Sequence, residues 1–292
     1  MNSRAPLIAA LPGKVGSWIA CVLVLLTGTA AAVEQRPLVL RHLTTADGLP
    51  QATVYTTLRD SQGFVWLGTE DGLVRFDGRQ VVRYARSPDE PHSLPGNFIY
   101  QVVEDAQHDL WIAVRNVGVA RWRRSTDRFD VYQNVPGNQD SLASNAVRTL
   151  LVDARGHIWI GTSDAGVDIL DPATGKFRHL SHGKGEDSLS HDNVYTLVQD
   201  RGGDVWIGTY GGLDRWSHEE DRITRVGVNA PRSILRAQIS QLVAGADGTL
   251  WIGSYDKGLA QIDSAGRVLR EERHVPGKPT SLADNDVRAL LR

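Results

Sequence analysis

A short motif built around tryptophan recurs five times in this chain of 292 residues, and it constrains the fold more than any other feature. Each copy reads apolar, Trp, apolar, then Gly or Ala and a short side chain, and successive tryptophans lie 45, 48, 47 and 45 residues apart. The five are Trp66, Trp111, Trp159, Trp206 and Trp251. Self-similarity at such a period is typical of stacked repeats, in which each unit buries its apolar faces against its neighbours.

A turn sequence that begins with aspartate lies at a constant distance before the tryptophans. An aspartate stands six residues before each of the first four, at Asp60, Asp105, Asp153 and Asp200. Gly245 takes that place in the fifth copy. The Asp-x-x-Gly setting, in which His108 replaces the glycine of the second copy, predicts tight turns rather than a ring of catalytic or metal-binding carboxylates.

The third copy shows what one repeat contains. Segments 146–152, 157–162, 166–171 and 176–180 are short, rich in β-branched and aromatic residues, and separated by turn sequences at 153–156 and 171–175. Four short antiparallel strands in each repeat are the pattern of a propeller blade. The sequence therefore predicts an all-β fold, a β-propeller of four-stranded antiparallel blades, with the repeated tryptophans and also Trp122 and Trp216 packed on the blade faces.

The copies also resemble a known family. The pattern Asn-x-Val, Asp-x-x-Gly-x-Leu/Val-Trp-Ile-Gly-Thr, Gly-Gly-Leu resembles the two-component regulator propeller repeat, and the fourth copy, 193–213, matches it closely. The resemblance covers about residues 38–292. It implies the periplasmic sensor region of a receptor whose later parts are a β-sandwich, a membrane-spanning helix and a histidine kinase or diguanylate cyclase.

The two ends of the chain lead to further expectations. Residues 1–32 have a basic start, a short apolar core and an Ala-rich end, which together predict a cleaved export signal rather than a membrane anchor. Residues 33–292 are then the propeller. Segment 281–292 repeats segment 141–152, which predicts five blades plus the first strand of a sixth, an incomplete ring and an N-terminal fragment of a longer protein. The alternative is a ring that closes with five blades.

Composition excludes several classes of function. The 32 basic and 34 acidic residues give a net charge of −2, which argues against a nucleic-acid-binding protein. The single cysteine, Cys21, lies in the predicted signal, so a disulfide framework and a cysteine-based zinc site are excluded. No Ser-His-Asp spacing, phosphate loop or dinucleotide fingerprint occurs. We therefore expect no enzyme activity, cofactor or metal in this chain, with a secreted lyase or hydrolase and a protein-binding scaffold kept as alternatives.

The predicted ligand face is the end of the propeller that carries the links between second and third strands. These links differ between copies while their flanks repeat, and variable loops on a fixed scaffold are where ligands bind. The candidate ligand-binding residues are Glu70, Asp71, Arg115, Asn116, Ser163, Asp164, Tyr210, Tyr255, Asp256 and Lys257. Their charges, amides and tyrosine rings suit a small polar molecule or an oligosaccharide. A receptor homodimer is the expected partner, and a membrane is reached only through a part absent from this sequence.

The remaining polar residues have structural interpretations. Asn97, Asn145, Asp192 and Asn285 precede the first strands and are expected to form turns that bridge blades. His179 and His182 lack a marked third ligand for zinc, so we expect them to be solvated. The run 121–124, Arg-Trp-Arg-Arg, is only a weak indication of nucleic-acid binding in an acidic chain.

Overall fold

The computed structural model describes residues 42–185, 187–229 and 232–291. The predicted signal 1–32 lies outside the described residues, and so does most of the segment that precedes the first repeat. Residues from Leu43 onward form one compact unit, which contains every assigned strand. No described helix is long and apolar enough to cross a bilayer.

Twenty strands form five separate four-stranded antiparallel sheets, which we call blades 1 to 5. Blades 1 and 2 contain β1 Val54–Arg59, β2 Val65–Thr69, β3 Gly72–Phe76, β4 Val81–Tyr84, β5 Ile99–Glu104, β6 Leu110–Val114, β7 Gly118–Arg123 and β8 Arg128–Tyr132. Blades 3 and 4 contain β9 Val147–Val152, β10 Ile158–Thr162, β11 Val167–Asp171, β12 Lys176–Leu180, β13 Val194–Gln199, β14 Val205–Thr209, β15 Gly212–Ser217 and β16 Arg222–Arg225. Blade 5 contains β17 Ile239–Ala244, β18 Leu250–Ser254, β19 Leu259–Ile262 and β20 Val268–Glu272. Two short 3₁₀ turns, Thr45–Asp47 and Ile234–Arg236, complete the assigned elements.

The blades pack in chain order around an axis. Within each blade the strands pair in sequence order, and the first strand of each blade packs against the first strand of the next, β1 on β5, β5 on β9, β9 on β13 and β13 on β17. The first strands are therefore innermost. Among the described residues, blade 5 does not pack on blade 1 in this way, so the ring is open. The propeller and its incomplete ring are as predicted from the repeats.

Tryptophan fills the space between consecutive blades, as the sequence predicts. Trp66 of blade 1 packs among the side chains of blade 2, where its ring centroid lies 4.9 Å from that of Trp122. Trp159 meets Trp216 of blade 4 at the same centroid distance of 4.9 Å. Trp111 and Trp206 are buried against blades 3 and 5. Trp251, in the last blade, is only partly buried because no described blade covers it.

Each of the four aspartates before a tryptophan binds the turn and the indole together. One carboxylate oxygen of Asp153 accepts backbone N–H groups of Arg155 and His157, both at 2.9 Å. The other oxygen accepts the indole N–H of Trp159 at 3.0 Å. The other three indole bonds measure 2.8 Å, from Trp66 to Asp60, from Trp111 to Asp105 and from Trp206 to Asp200. The predicted turn role is confirmed, and the indole bond is an addition that sequence reasoning missed.

In blades 1, 3 and 4 the glycine that follows the Trp-apolar pair lies in close contact with the next blade. A Cβ on Gly161 would lie 2.5 Å from a methyl carbon of Thr149 and 2.8 Å from one of Val194 in the next blade. The same crowding is found at Gly68 and Gly208. Blade 2, with Ala113 in that place, shows that small adjustments can accommodate one methyl group.

Segment 281–291 occupies the place of a sixth first strand without being one. The N–H of Val287 donates to the carbonyl of Ser254 at 2.8 Å, and the N–H of Gly258 donates to the carbonyl of Asn285 at 2.9 Å. No strand is assigned there, because none of the described residues provides a neighbouring strand with which it could form a ladder.

Replacing Asp153 with alanine should lower the free energy of unfolding by about 2–4 kcal/mol, since the change leaves a buried indole N–H and two turn N–H groups without their acceptor. Urea denaturation followed by tryptophan fluorescence measures the loss. The matched control is Asp171→Ala in the same blade, where the carboxylate accepts the Ala173 N–H in an exposed turn. Equal losses in the two variants would contradict this role for the indole bond.

Candidate functional site at the channel mouth

The links between second and third strands and the links between blades meet at one end of the propeller. Backbone bonds join them, with the N–H groups of Arg115, Ser163 and Tyr210 donating to Phe98, Ala146 and Asn193 at 2.9 Å. The N–H of Tyr255 donates to the carbonyl of Gln238 at 3.1 Å. We call this end, where the innermost strands begin, the channel mouth.

Polar side chains fix the path of the chain between blades. The side chain of Asn97 accepts the N–H of Arg86, which follows the last strand of blade 1, at 2.8 Å. Asn145, Asp192 and Asn285 make the corresponding bonds to Asn134, His182 and His274 at 2.7, 2.6 and 2.8 Å. These contacts confirm that Asn97, Asn145 and Asp192 bridge consecutive blades, and Asn285 makes the same bond in the segment that follows blade 5. They also give the mouth a rigid backbone frame.

A β-bulge occurs at the second residue of every innermost strand. The register against the second strand shifts at this position in all five blades. The bulged residues are Tyr55, Tyr100, Arg148, Tyr195 and Ser240, each eleven residues before its tryptophan. Bulges re-aim side chains and are common next to binding sites. Sequence reasoning missed these residues. The signal that could have found them is that the residue type at this position varies between copies, while the residues on either side repeat.

Blades 1 and 2 form an aromatic cluster at the mouth. The ring centroids of Tyr55 and Phe98 are 4.8 Å apart, and those of Phe98 and Tyr100 are 5.0 Å apart. The guanidinium of Arg115 lies over Phe98, 4.8 Å from its centroid. The hydroxyl of Tyr55 donates to Glu70, and this bond is the main reason that the pKa of the Glu70 carboxyl is lowered. The predicted residues Glu70 and Arg115 thus belong to one polar and aromatic group.

Blades 3, 4 and 5 form a second cluster. The guanidinium of Arg148 lies over Tyr195, 4.4 Å from the ring centroid, and donates to the side-chain oxygen of Asn193 at 3.0 Å. The rings of Tyr195 and Tyr255 meet at 5.5 Å with an angle of 61°. Gln238 donates to the Tyr195 hydroxyl at 2.8 Å. Burial is the largest cause of the raised pKa of Tyr255.

The other predicted site residues are less closely grouped. Asp71 pairs with Arg83 at 2.6 Å and accepts the Asn97 amide at 3.2 Å, so it supports the link between blades. Tyr210 is 53% exposed and packs on His191 rather than on the mouth clusters. Asn116 has a left-handed backbone, and the hydroxyl of Ser163 donates to the carbonyl of Ala146. Asp164 is exposed, and Asp256 lies 3.8 Å from the ammonium of Lys257.

Two buried carboxylates hold the links of blades 3 and 4. Asp168 accepts the N–H of Ala143 at 2.8 Å, and Asp214 accepts both the N–H and the hydroxyl of Ser190 at 2.9 and 2.8 Å. The second oxygen of Asp214 is buried without a hydrogen-bond partner among the described residues. Burial raises the pKa of Asp214 to about 6.

The side chains with the most obvious chemistry elsewhere are already engaged. His179 is bonded through Nδ1 to Asp168 at 2.6 Å and through Nε2 to the carbonyl of Gln139 at 2.9 Å, so neither ring nitrogen is free to act as a base. The arginines of the run 121–124 pair with aspartates within and between blades 1 and 2. Each of these three arginines therefore has an acidic partner among the described residues. Among the described residues no group of three metal-capable side chains occurs.

A groove of about 480 Å³ between the outer parts of blades 3 and 4 is an alternative site. Several of the charged groups that line it already have partners. His157 contacts Asp153 at 3.1 Å, Lys176 binds Asp140 at 2.6 Å, and Arg178 pairs with Asp221. A ligand would have to displace these pairs, which favours the channel mouth instead.

Comparison with known proteins identifies the repeats. The family model described as "Two component regulator propeller" matches residues 48–71, 93–116, 141–164 and 188–211, one segment in each of the first four blades. The chain belongs to the two-component regulator propeller family. Its first four blades carry repeats recognised by that model, and the fifth is a structural copy of them.

Individual relatives of this propeller chain agree with that assignment. It is 29% identical to histidine kinase P4 of Formosa agariphila over 86 residues, which is 27% of this chain and 6% of the kinase. The extracellular domain of BT3049 from B. thetaiotaomicron, described as a hybrid two-component system, has the same fold. Its TM-score is 0.53 at 24% identity, over 86% of this chain and 39% of that domain. The chain therefore spans less than half the length of either relative.

The same fold also occurs in an enzyme. Virginiamycin B lyase from Staphylococcus aureus matches with a TM-score of 0.58 at 12% identity, over 76% of this chain and 71% of the lyase. At such low identity the match shows the architecture alone, and fold does not fix function.

Asp214 should make the stability of this propeller pH-dependent. In the unfolded chain its carboxyl ionises near 3.8 and in the folded chain near about 6, so the folded state holds the proton more tightly between these values. The free energy of unfolding therefore falls as pH rises through this window, by about 1 kcal/mol between pH 5 and pH 7 from this group.

The variant Asp214→Asn, which keeps an acceptor for Ser190, should remove that component and be more stable than the parent at pH 7. Denaturation curves of both proteins at the two pH values measure it, with exposed Asp164→Asn as the control. The idea fails if the difference between parent and Asp214→Asn is the same at both values.

Proposed function

We propose that this chain is the ligand-sensing propeller of a transmembrane receptor of the two-component histidine kinase type, exported to the periplasm. The observation that carries the proposal is the set of bulged side chains at the channel mouth. The blade scaffold is repeated, but the residue at the bulge changes from tyrosine to arginine to serine. A repeated scaffold with varied inward side chains is what a selective ligand site requires.

The chemistry of the mouth suits a polar ligand with flat faces. Tyrosine rings offer apolar faces and hydroxyl groups at the same place, while Arg115, Arg148, Glu70 and Gln238 supply charged and neutral hydrogen-bond partners. An oligosaccharide or a small polar metabolite fits this description. Binding would bias one arrangement of a receptor dimer over another and so shift its signalling output.

Two alternatives remain for the whole protein. The propeller is equally suited to the sensor region of a diguanylate cyclase, because the mouth carries no information about the output domain. The similarity in fold to virginiamycin B lyase keeps a lyase or hydrolase activity as the second candidate.

A binding screen against defined neutral and acidic oligosaccharides tests the proposal. Thermal unfolding of the purified chain should shift upward with a saturable dependence on the bound sugar. Tyr100→Ala should abolish the shift by opening the aromatic cluster. Arg201→Ala, on the exposed turn between β13 and β14 at the opposite end of the strands, should leave it unchanged.

Mass spectrometry of the same sugars after incubation separates sensing from catalysis. A sensor returns each sugar intact. A cleaved or eliminated product would support the enzyme alternative, and a thermal shift insensitive to Tyr100→Ala would place the site elsewhere.

A further inference from the structure

Arg148 stands at the channel mouth, and no carboxylate of the described residues forms an ion pair with it. Among the described residues, its polar contact is the neutral amide oxygen of Asn193, and its guanidinium face rests on Tyr195. Four other arginines lie over tryptophan rings. Three of them also form ion pairs with aspartate: Arg121 with Asp105 and Asp109, Arg124 with Asp60, and Arg215 with Asp204. The fourth, Arg75 of blade 1, lies over Trp66 and Phe64. Arg148 has the same stacking without the carboxylate.

The other arginines of the mouth are not equivalent to Arg148. Arg288, at the matching position of segment 281–291, donates two bonds to Asp286, both at 2.9 Å. Arg115 faces Glu70, whose pKa is lowered first by the Tyr55 hydroxyl and further by this guanidinium. Both of these arginines therefore have an acidic neighbour within the protein. Arg236, in the link between blades 4 and 5, has a buried terminal nitrogen without a hydrogen-bond partner among the described residues, but its charge acts on the Asp214 carboxylate. Arg148 differs from these three arginines because its polar contact among the described residues is a neutral amide.

The surroundings of Arg148 are preorganised for a planar anion. Stacking on Tyr195 fixes the plane of the guanidinium, and the bond to Asn193 fixes one end of its fork. An immobilised fork loses little side-chain entropy when it binds a carboxylate through two parallel hydrogen bonds. Tyr255 stands across from Tyr195, and both rings are partly exposed beside the arginine.

We propose that Arg148, Tyr195 and Tyr255 form a subsite for a carboxylate-bearing sugar, with the carboxylate on the Arg148 fork and the sugar ring against the tyrosines. This inference rests on the proposed ligand-sensing function and specifies its ligand class as acidic. The Gln238 amide, which holds the Tyr195 hydroxyl, keeps the wall of the subsite in place.

The test compares one acidic probe with its neutral counterpart. Trigalacturonate and its carboxyl-reduced form differ only in their carboxylates, and isothermal titration calorimetry measures both affinities on the full chain. We expect the affinity for the acid to exceed that for the neutral form by about tenfold or more. Added salt should lower the affinity for the acid only.

Variants at Arg148 connect this preference to the subsite. Arg148→Gln should remove the preference for the acid, while Arg148→Lys, which keeps the charge but loses the fork, should retain part of it. Arg201→Gln removes the same charge from the exposed turn between β13 and β14, away from the mouth and from the groove between blades 3 and 4, and is the matched control. Unfolding midpoints of all variants show whether the fold is retained. If Arg148→Gln does not fold, the reduced preference of Arg148→Lys for the acid is the deciding measurement.

Two outcomes overturn the inference. If the neutral form binds as tightly as the acid, and Tyr100→Ala still removes binding, the carboxylate subsite is wrong while the sensor proposal stands. If the acid does not bind, or binds with undiminished preference to Arg148→Gln, the assignment of Arg148 is wrong. The sensor proposal is then judged by the separate oligosaccharide screen.

Discussion

The hydrogen bond from a tryptophan indole to an aspartate carboxylate couples the turn of each of the first four blades to the packing between blades. It joins a turn at one end of the blade to the large side chain that fills the gap to the next blade. Burial alone would raise the pKa of Asp153, but the bonds from Trp159 and the turn N–H groups outweigh this cost and keep the carboxyl acidic. A tight turn, a fixed tryptophan orientation and the spacing between blades are thereby coupled in one unit.

The fifth blade shows the consequence of losing that bond. Gly245 replaces the aspartate, and Asp247 accepts the N–H and the hydroxyl of Thr249 instead, so the turn survives. Trp251 lacks the carboxylate acceptor at that position, and it is partly exposed because no described blade covers it. The sheet of blade 5 nevertheless forms with the same strand order and the same bulge, because the strand ladder and the apolar packing remain. The indole bond therefore stabilises the blade and orients the tryptophan, while the strand pattern determines the sheet.

Most of the fold was predictable from the sequence, because its determinants repeat at a fixed period. Strand bounds in the third copy differ from the predicted segments by at most one residue, and the bridging role of Asn97 follows from its position before a first strand. The site was only partly predictable. The links were correctly placed at one end, but a bulge depends on how two strands pair, and Tyr55 or Arg148 looks like an ordinary strand residue until that pairing is known.

The division between constant and varied positions gives the propeller its capacity for selective binding. The position six residues before each tryptophan is nearly constant, with aspartate in four of five copies. The position eleven residues before each tryptophan varies and carries three different side chains. Both lie in or next to the innermost strand of the same blade, yet they act at opposite ends of it. Substitutions at the bulge change the channel mouth without touching the turn or the tryptophan contact. Because the turn and the tryptophan contact lie at the other end, the mouth can carry Arg148, which has no carboxylate partner among the described residues, at little cost to the fold.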